Sequence, residues 1–547
     1  MHKVTFIGLD FKKALLFRGA AILCPILVFL VLASLTPAAS PAAPGTLRLT
    51  FVDAASGVPT PARVELLDAQ GQGYVAQDAL PIDGECIDRD IPADYTLERA
   101  IAVMSKQFVN GLTKTVQFYS VGKSFVSLPP GDYKLTVRKG PEFQLQKRDV
   151  HIDAGEIVNL EVPMTRWINM PAEGWYSADD HLHIARPIKE VNPFISKWMQ
   201  AEDVHVANLL EWGLVTHFHN ALQYAFGEEG RYREGDYLLA TGQENPRTHF
   251  RGHTIILGGK TPINFPEEYV IYSLFWEEAE RQGALKGYAH FGKLGGAEYG
   301  LSMDLPGHLL NFIEVLQFEH GVYDVWYDTL SMGFRMTPTA GTDYPCGDNG
   351  IPGRERFYTQ TAGPLTYDSW LEGVRQGRTF VTNGPMLDFH INGKGIGDEV
   401  LLKKPGTAVL QGRVRFDLDR DDVDRLNVIV NGEPVKSFPK GTHPGEISFQ
   451  LPYEFTSTSW VALQAAGGKR DEAVGRHPPF IGESASQAHT AAIYVTIQGA
   501  PPLSAQPAAK LLARKWLAKL ENLEARLGDD QIQQVASPGN DGVDLET

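Results

Sequence analysis

The chain has 547 residues, 43% hydrophobic and 21% charged, which is ordinary globular composition and enough for about three domains. Its formal net charge of −16 becomes −19 once the basic leader is set aside, where Lys3, Lys12, Lys13 and Arg18 stand against Asp10 for a net +3. This acidity excludes nucleic acid as an expected partner and argues against a strongly anionic polymer as substrate, although a local metal charge can override the global field.

Residues 1–43 carry a basic region, an apolar stretch from Ala20 to Leu35, and then small residues and prolines from Thr36 to Ala43. This is the pattern of a secretory signal peptide cut between Ala39 and Ala43, so the protein is expected to be exported, periplasmic or secreted. The rival reading is an uncleaved anchor, the one case in which membrane contact is expected, but the run falls short of the roughly 20 apolar residues of a span. Cys24 lies inside the apolar run, a poor fit to a lipoprotein site. Cys86 and Cys346 would survive cleavage, which permits one disulfide and excludes a disulfide-built scaffold. Neither sits in a Cys-x-x-Cys pair, so thiolate metal binding is not expected.

Residues 45–166 show short alternating runs broken by turn residues, as in Thr46 to Val52 and Ala62 to Leu67. Period-2 alternation with such punctuation predicts β-strands in a small β-sandwich. The stretch resembles the carboxypeptidase-regulatory or transthyretin type, with Asp78 to Ser105 as a partly helical insertion. Residues 172–385 alternate apolar strand-like runs with amphipathic helical stretches. Helices are predicted at Asn192 to Met199, Glu267 to Gln282 and Tyr367 to Gln376; strands at Val204 to Leu210, Thr254 to Leu257, Gly287 to His290, Phe312 to Gln317 and Met336 to Ala340. That alternation predicts a parallel α/β sheet or barrel. Residues 386–499 return to short strands, with a hairpin signal at Asn431-Gly432, and predict an Ig-like β-sandwich. Residues 500–547 comprise a linker, one amphipathic helix marked by Leu512, Trp516, Leu520, Leu523 and Leu527, and a polar, disordered tail. The fold class is multidomain: a central α/β unit between two β units.

Five segments of the central region place metal-ligand residue types at the ends of apolar runs: His181 and His183; Glu244 with His253; His290; Glu314; and Asp343. In an extended strand, residues two apart share a face, so both imidazoles of His181-Leu182-His183 can reach one cation. Imidazole and carboxylate donors together suit Zn, Mn or Fe(II). Two such cations bridged by a hydroxide can hydrolyse a bond without a nucleophilic side chain, and no Gly-x-Ser-x-Gly elbow or Gly-rich phosphate loop is present.

The runs Asp180-His181-Leu182-His183, Gly242-Gln243-Glu244, Gly252-His253, Ala289-His290, Ile313-Glu314-Val315, Ala340-Gly341-Thr342-Asp343 and Gly377 to Pro385 resemble, in this order, the polymerase-and-histidinol-phosphatase (PHP) metallohydrolases, and among them the carbaryl-hydrolase-like branch. The resemblance covers about Gly174 to Leu387. It implies a distorted seven-stranded, TIM-like (β/α) barrel with a metal cluster at the strand C-termini. It further implies that His181, His183 and Asp343 hold one metal, that His253 and His290 hold a second, and that Glu244 bridges them. Tyr344-Pro345 and Leu210-Glu211-Trp212 stand where the family places the histidines of a third metal, so two metals are expected; His205, His217 or His219 could restore a ligand.

Asp343 is the candidate proton relay and Glu314 a partner to a ligating histidine. Arg186 and Lys293, and less strongly Arg247 and Arg356, are candidate oxyanion stabilisers. Trp212, Phe218, Trp326 and Tyr327 are candidates for an apolar substrate wall or for core. The expected function is hydrolysis of an ester, carbamate or amide bond in a small molecule. The alternatives are a phosphoesterase on a small phosphorylated molecule and a non-catalytic protein with a structural metal that meets the cell surface or glycans through its β-sandwiches.

Overall fold

The alternation of the N-terminal segment is realised as two sheets in a computed structural model that describes residues 42–84, 95–110, 113–214, 217–248, 251–291, 297–307, 309–318, 320–345, 351–469 and 485–526, and of 213, 214, 217–220, 320, 469 and 523–526 the backbone alone. The leader, Cys86, Lys293, Cys346 and the C-terminal tail lie outside the described residues, as do the side chains of His217, Phe218 and His219. Gly45–Asp53 pairs with Lys123–Leu128 and Ile157–Met164 in one sheet; Phe108–Val109, Val116–Ser120, Ala62–Asp68, Gly131–Arg138 and Gln146–Ile152 form the other. Inward residues of both, among them Leu49, Val64, Val126, Leu135 and Val162, share one apolar cluster. The inserted segment holds a helix, Leu97–Val103, whose first turn is capped by the Thr96 hydroxyl.

The central strands are β1 (Trp175–Leu182), β2 (Val206–Leu214), β3 (Tyr237–Thr248), β4 (Gly252–Leu257), β5 (Leu285–Tyr288), β6 (Phe312–Gln317), β7 (Thr337–Ala340), β8 (Arg356–Gln360) and β9 (Thr379–Thr382). Strands β1, β2 and β3 run parallel, as do β5, β6 and β7. The expected parallel order does not extend to every pair: β3–β4, β4–β5, β8–β1 and β8–β9 are antiparallel. The chain between Thr248 and Gly252 is too short for a crossover, so β4 must return as a hairpin partner. Pairing of β8 with β1 brings the sheet back on itself.

Helices α1 (Asn192–Ala201), α2 (Tyr272–Gln282), α3 (Ala297–Asp304), α4 (Asp324–Ser331) and α5 (Tyr367–Arg375) cover this sheet. α5 shows why the sequence folds so locally. Thr366 and Ser369 cap one another's backbone N–H groups, and Tyr367, Trp370, Leu371 and Val374 put one stripe into the core. α2 begins later than the periodicity predicts, at Tyr272, and ends on Gly283 at φ 78°.

Two further sheets follow. One, of Lys394–Gly395, Met386–Ile391, Gly406–Arg415 and Glu446–Phe455, is antiparallel. The other is continuous with the central sheet, because Ala485–Thr490 pairs with β9, so the predicted boundary at residue 386 is crossed by hydrogen bonds. Asn431 and Gly432, both at positive φ, make the expected tight hairpin between Val430 and Glu433. The last helix, α6 (Pro507–Arg526), docks on the central unit, with Trp516 buried and its Nε1 donating to Asp328 at 3.0 Å. Among the described residues, no helix is long and apolar enough to cross a membrane.

Candidate metal centre

The six predicted ligand residues meet at the carboxyl ends of β1, β3 and β5, at the start of β4 and after β7. His181 and His183 bring their Nε2 atoms within 3.1 Å of each other, and Asp343 Oδ1 lies 3.4 Å and 3.1 Å from them. Glu244 stands between two pairs of imidazoles: its Oε2 is 3.4 Å from His183 Nε2, and its Oε1 is 3.2 Å from His290 Nε2 and 2.7 Å from His253 Nδ1. His253 Nδ1 and His290 Nε2 are 3.1 Å apart. In the groups His181, His183, Asp343 and His181, Glu244, His290, the candidate ligand atoms all lie within 4.8 Å of one another.

The backbone positions these groups by polar ties at strand ends. Asp179, buried in β1, accepts from the backbone N–H groups of His181, Thr342 and Gly353 and from the Thr342 hydroxyl at 2.6 Å, joining the β1 terminus to the loop that carries Asp343. Sequence reasoning assigned Asp179 no role, although a carboxylate on an apolar strand was the available signal. His183 Nδ1 is 3.1 Å from the Leu210 carbonyl, which turns Nε2 toward the cluster. Glu314 sits 3.3 Å from His181 Nδ1 and accepts from the His290 N–H, so it contacts two of the histidines. Gly341 has to be glycine, since a Cβ there would lie 2.6 Å from Glu314 Oε1 and from His181 Cβ. His290 and Asp343 hold φ values of 29° and 54°, left-handed conformations at two of the converging residues.

Burial and charge are in conflict here, in a way a cation would relieve. Burial raises Asp180 well above the carboxylate range, with Glu314 adding to the rise and the nearby Thr339 hydroxyl opposing it, and neither Asp180 oxygen meets a partner in good hydrogen-bond geometry among the described residues. Burial likewise raises Glu314 to about 8. His183 is raised to about 9, because Asp343 and Glu244 outweigh its burial. Burial and then the Arg247 charge lower His253 to about 3. Glu244 is held well below its usual range by Arg247 and His253 against the cost of burial. Four imidazoles, two central carboxylates and an orphaned third carboxylate fit a divalent cation site of the Zn, Mn or Fe(II) kind.

Other predicted residues are placed elsewhere. Arg186 is a buried structural cation, donating to Gln223 (2.8 Å), Asn192 (3.2 Å), Gly230 O (2.8 Å) and Thr241 (2.6 Å), so it is no oxyanion stabiliser. Arg356 is spent on the carbonyls of Gly353, Asp203 and Glu202. His205 bonds Ser177 near the opposite end of the strands and supplies no ligand to the cluster. Trp326 and Tyr327 pack with Trp460 and His489, not against the cluster. At the cluster itself are Trp212, 5.9 Å from the His183 ring, and Arg247, stacked 4.0 Å over Trp212 and 3.7 Å from Glu244.

No family model matches the chain, and no curated protein matches it. A crystal structure of an engineered protein aligns over 63% of this chain at 10% identity with a TM-score of 0.14, a likeness that carries no argument; the chain spans 56% of that protein's length.

Proposed function

We propose that this chain is a metal-dependent hydrolase that cleaves an ester, carbamate or amide bond in a small molecule, built on a PHP-like barrel. The observation that carries the reading is the convergence of His181, His183, Glu244, His253, His290 and Asp343, drawn from separate strands, on one buried point. His181, His183 and Asp343 would hold one cation and His253 and His290 a second, with Glu244 between them. Such a pair supplies Lewis acidity and a water acidified toward neutral pH. Asp343, whose side chain is 15% exposed, accepts a proton at the rim and returns it to the leaving group. His253 at 16% and Arg247 at 17% are likewise partly exposed, which favours a reacting site over a closed structural one.

A second reading, phosphoester hydrolysis, draws on Arg247, the cation beside Glu244. Metal analysis of purified protein, followed by assays on aryl esters, carbamates and phosphoesters, separates the readings. His183→Ala is expected to lower metal content and turnover together; unchanged metal stoichiometry would overturn the ligand assignment. Asp343→Asn is expected to retain part of the metal and lose at least about 100-fold in rate, the scale of a removed acid–base group, and a near wild-type rate would remove its proton-transfer role.

A further inference from the structure

At the opposite end of β1 to β3, a cavity of about 560 Å³ opens among Tyr176, Tyr237, His205, Glu234, Asp236 and Arg166. His205 is 2% exposed and forms part of the wall. Its Tyr237 neighbour stacks on it at 5.0 Å and 5°, and Tyr176 meets it edge-on at 5.6 Å. The hydrogen bonding determines its tautomer. The Ser177 hydroxyl donates its one proton to the Asp203 carbonyl at 2.6 Å, so at 2.9 Å it can only accept from His205, whose Nδ1 therefore carries the hydrogen. Burial holds the ring neutral by lowering its pKa to about 4. Nε2 is then a lone-pair acceptor on the wall of the cavity, able to take a hydrogen bond from a bound molecule.

The lining narrows what could meet it. Glu234 is paired with Lys197 at 2.5 Å and Asp236 with Arg233 at 3.4 Å, so neither carboxylate leaves an unmatched charge to attract an ion. Arg166 is held by Asp203 at 2.9 Å and Glu142 at 2.8 Å, and disfavours an ammonium ion beside it. Among the described residues, no three ligand atoms here converge as they do in the metal cluster. A neutral, hydroxyl-rich molecule satisfies every wall: O–H donors for Nε2 and the carboxylates, oxygen acceptors for Arg166, and C–H faces for the two tyrosine rings.

We propose that this cavity binds a small neutral polyhydroxylated molecule, a sugar or sugar alcohol, independently of the metal cluster. Asp236 is 63% exposed and takes no part in the Ser177–His205 hydrogen bonds, so Asp236→Ala removes an acceptor from the wall while leaving those bonds in place. The test is saturation-transfer NMR on the full chain with glucose, galactose, N-acetylglucosamine and sorbitol, and with choline and acetate as charged controls. At least one neutral probe is expected to bind and the charged ones not. Asp236→Ala and Tyr176→Ala are each expected to weaken that binding about tenfold, with metal content unchanged. Absence of signal from every neutral probe, preference for choline or acetate, or unchanged affinity in both variants would overturn the proposal.

Discussion

Arginines 186 and 247 show how little a residue's identity says about its role until its partners are known. Both follow a segment that supplies candidate ligands, yet Arg186 points into the fold and Arg247 toward Glu244. Arg186→Ala would leave the Gly230 carbonyl, the Gln223 amide oxygen and the Asn192 amide oxygen without their buried donor. The expected cost is about 3 kcal/mol in urea unfolding, with turnover per folded molecule retained, because the charged donor acts on stability alone. Loss of turnover without loss of stability would restore its catalytic candidacy. The ligand residue types were legible in the chain because imidazoles and carboxylates at the ends of apolar runs are costly without a job. Asp179 and Asp180 were not, because their importance lies in loops brought in from residues 342 to 353 and in the absence of a well-aligned hydrogen bond.

At the scale of elements, periodicity located strands such as Phe312–Gln317 and helices such as Tyr367–Arg375 well, because each buries one face or one stripe. It placed α2 too early, since Glu267 to Val270 continue the amphipathic pattern but form only a turn ahead of the helix. Nor could it foresee direction: strand polarity depends on loop length and neighbours, and β4 is antiparallel for that reason. The same holds for α6, whose stripe was legible but whose landing place was not. Trp516 is 7% exposed, in the core cluster that includes Trp326 and Leu330 of α4, and Lys519 meets Glu298 of α3 at 2.7 Å. Trp516→Ala is expected to destabilise the protein by about 3 kcal/mol, read as a lowered thermal midpoint. An unchanged midpoint would show that α6 does not contribute to the central fold.

Across the molecule, buried polar ties link the N-terminal sheets to the centre, as when Arg63 and Tyr119 both bond Glu202 at 2.7 Å, and β9 shares its sheet with the C-terminal strands. Global stability should therefore report buried groups far from the His181–Asp343 cluster. His205 and His489 are both lowered to about 4 by burial. The unfolded chain, with histidines near 6.5, binds more protons than the folded one between pH 4 and 6.5, so stability rises with pH across that window and is lost as pH falls. Because buried carboxylates such as Glu314 and Glu142, raised to about 8, act in the opposite sense, the measurement is a difference: relative to His489→Asn, wild-type urea midpoints are expected to fall further between pH 6.5 and 4, by up to about 1.4 kcal/mol per pH unit. A pH-independent difference would mean that His489 is not buried neutral.

The order of polar and apolar residues by itself determined which segments become strands and helices, and which residues are fit to grip a cation, because burial of one face and ligand chemistry are local properties. Only the tertiary structure decided that Glu244 stands between His183 and His290, that Asp343 reaches the β1 histidines, and that Arg186 does not. The physical reason is that a site is a set of distances across strands far apart in sequence, and those distances are set by strand direction, register and loop closure rather than by any one segment.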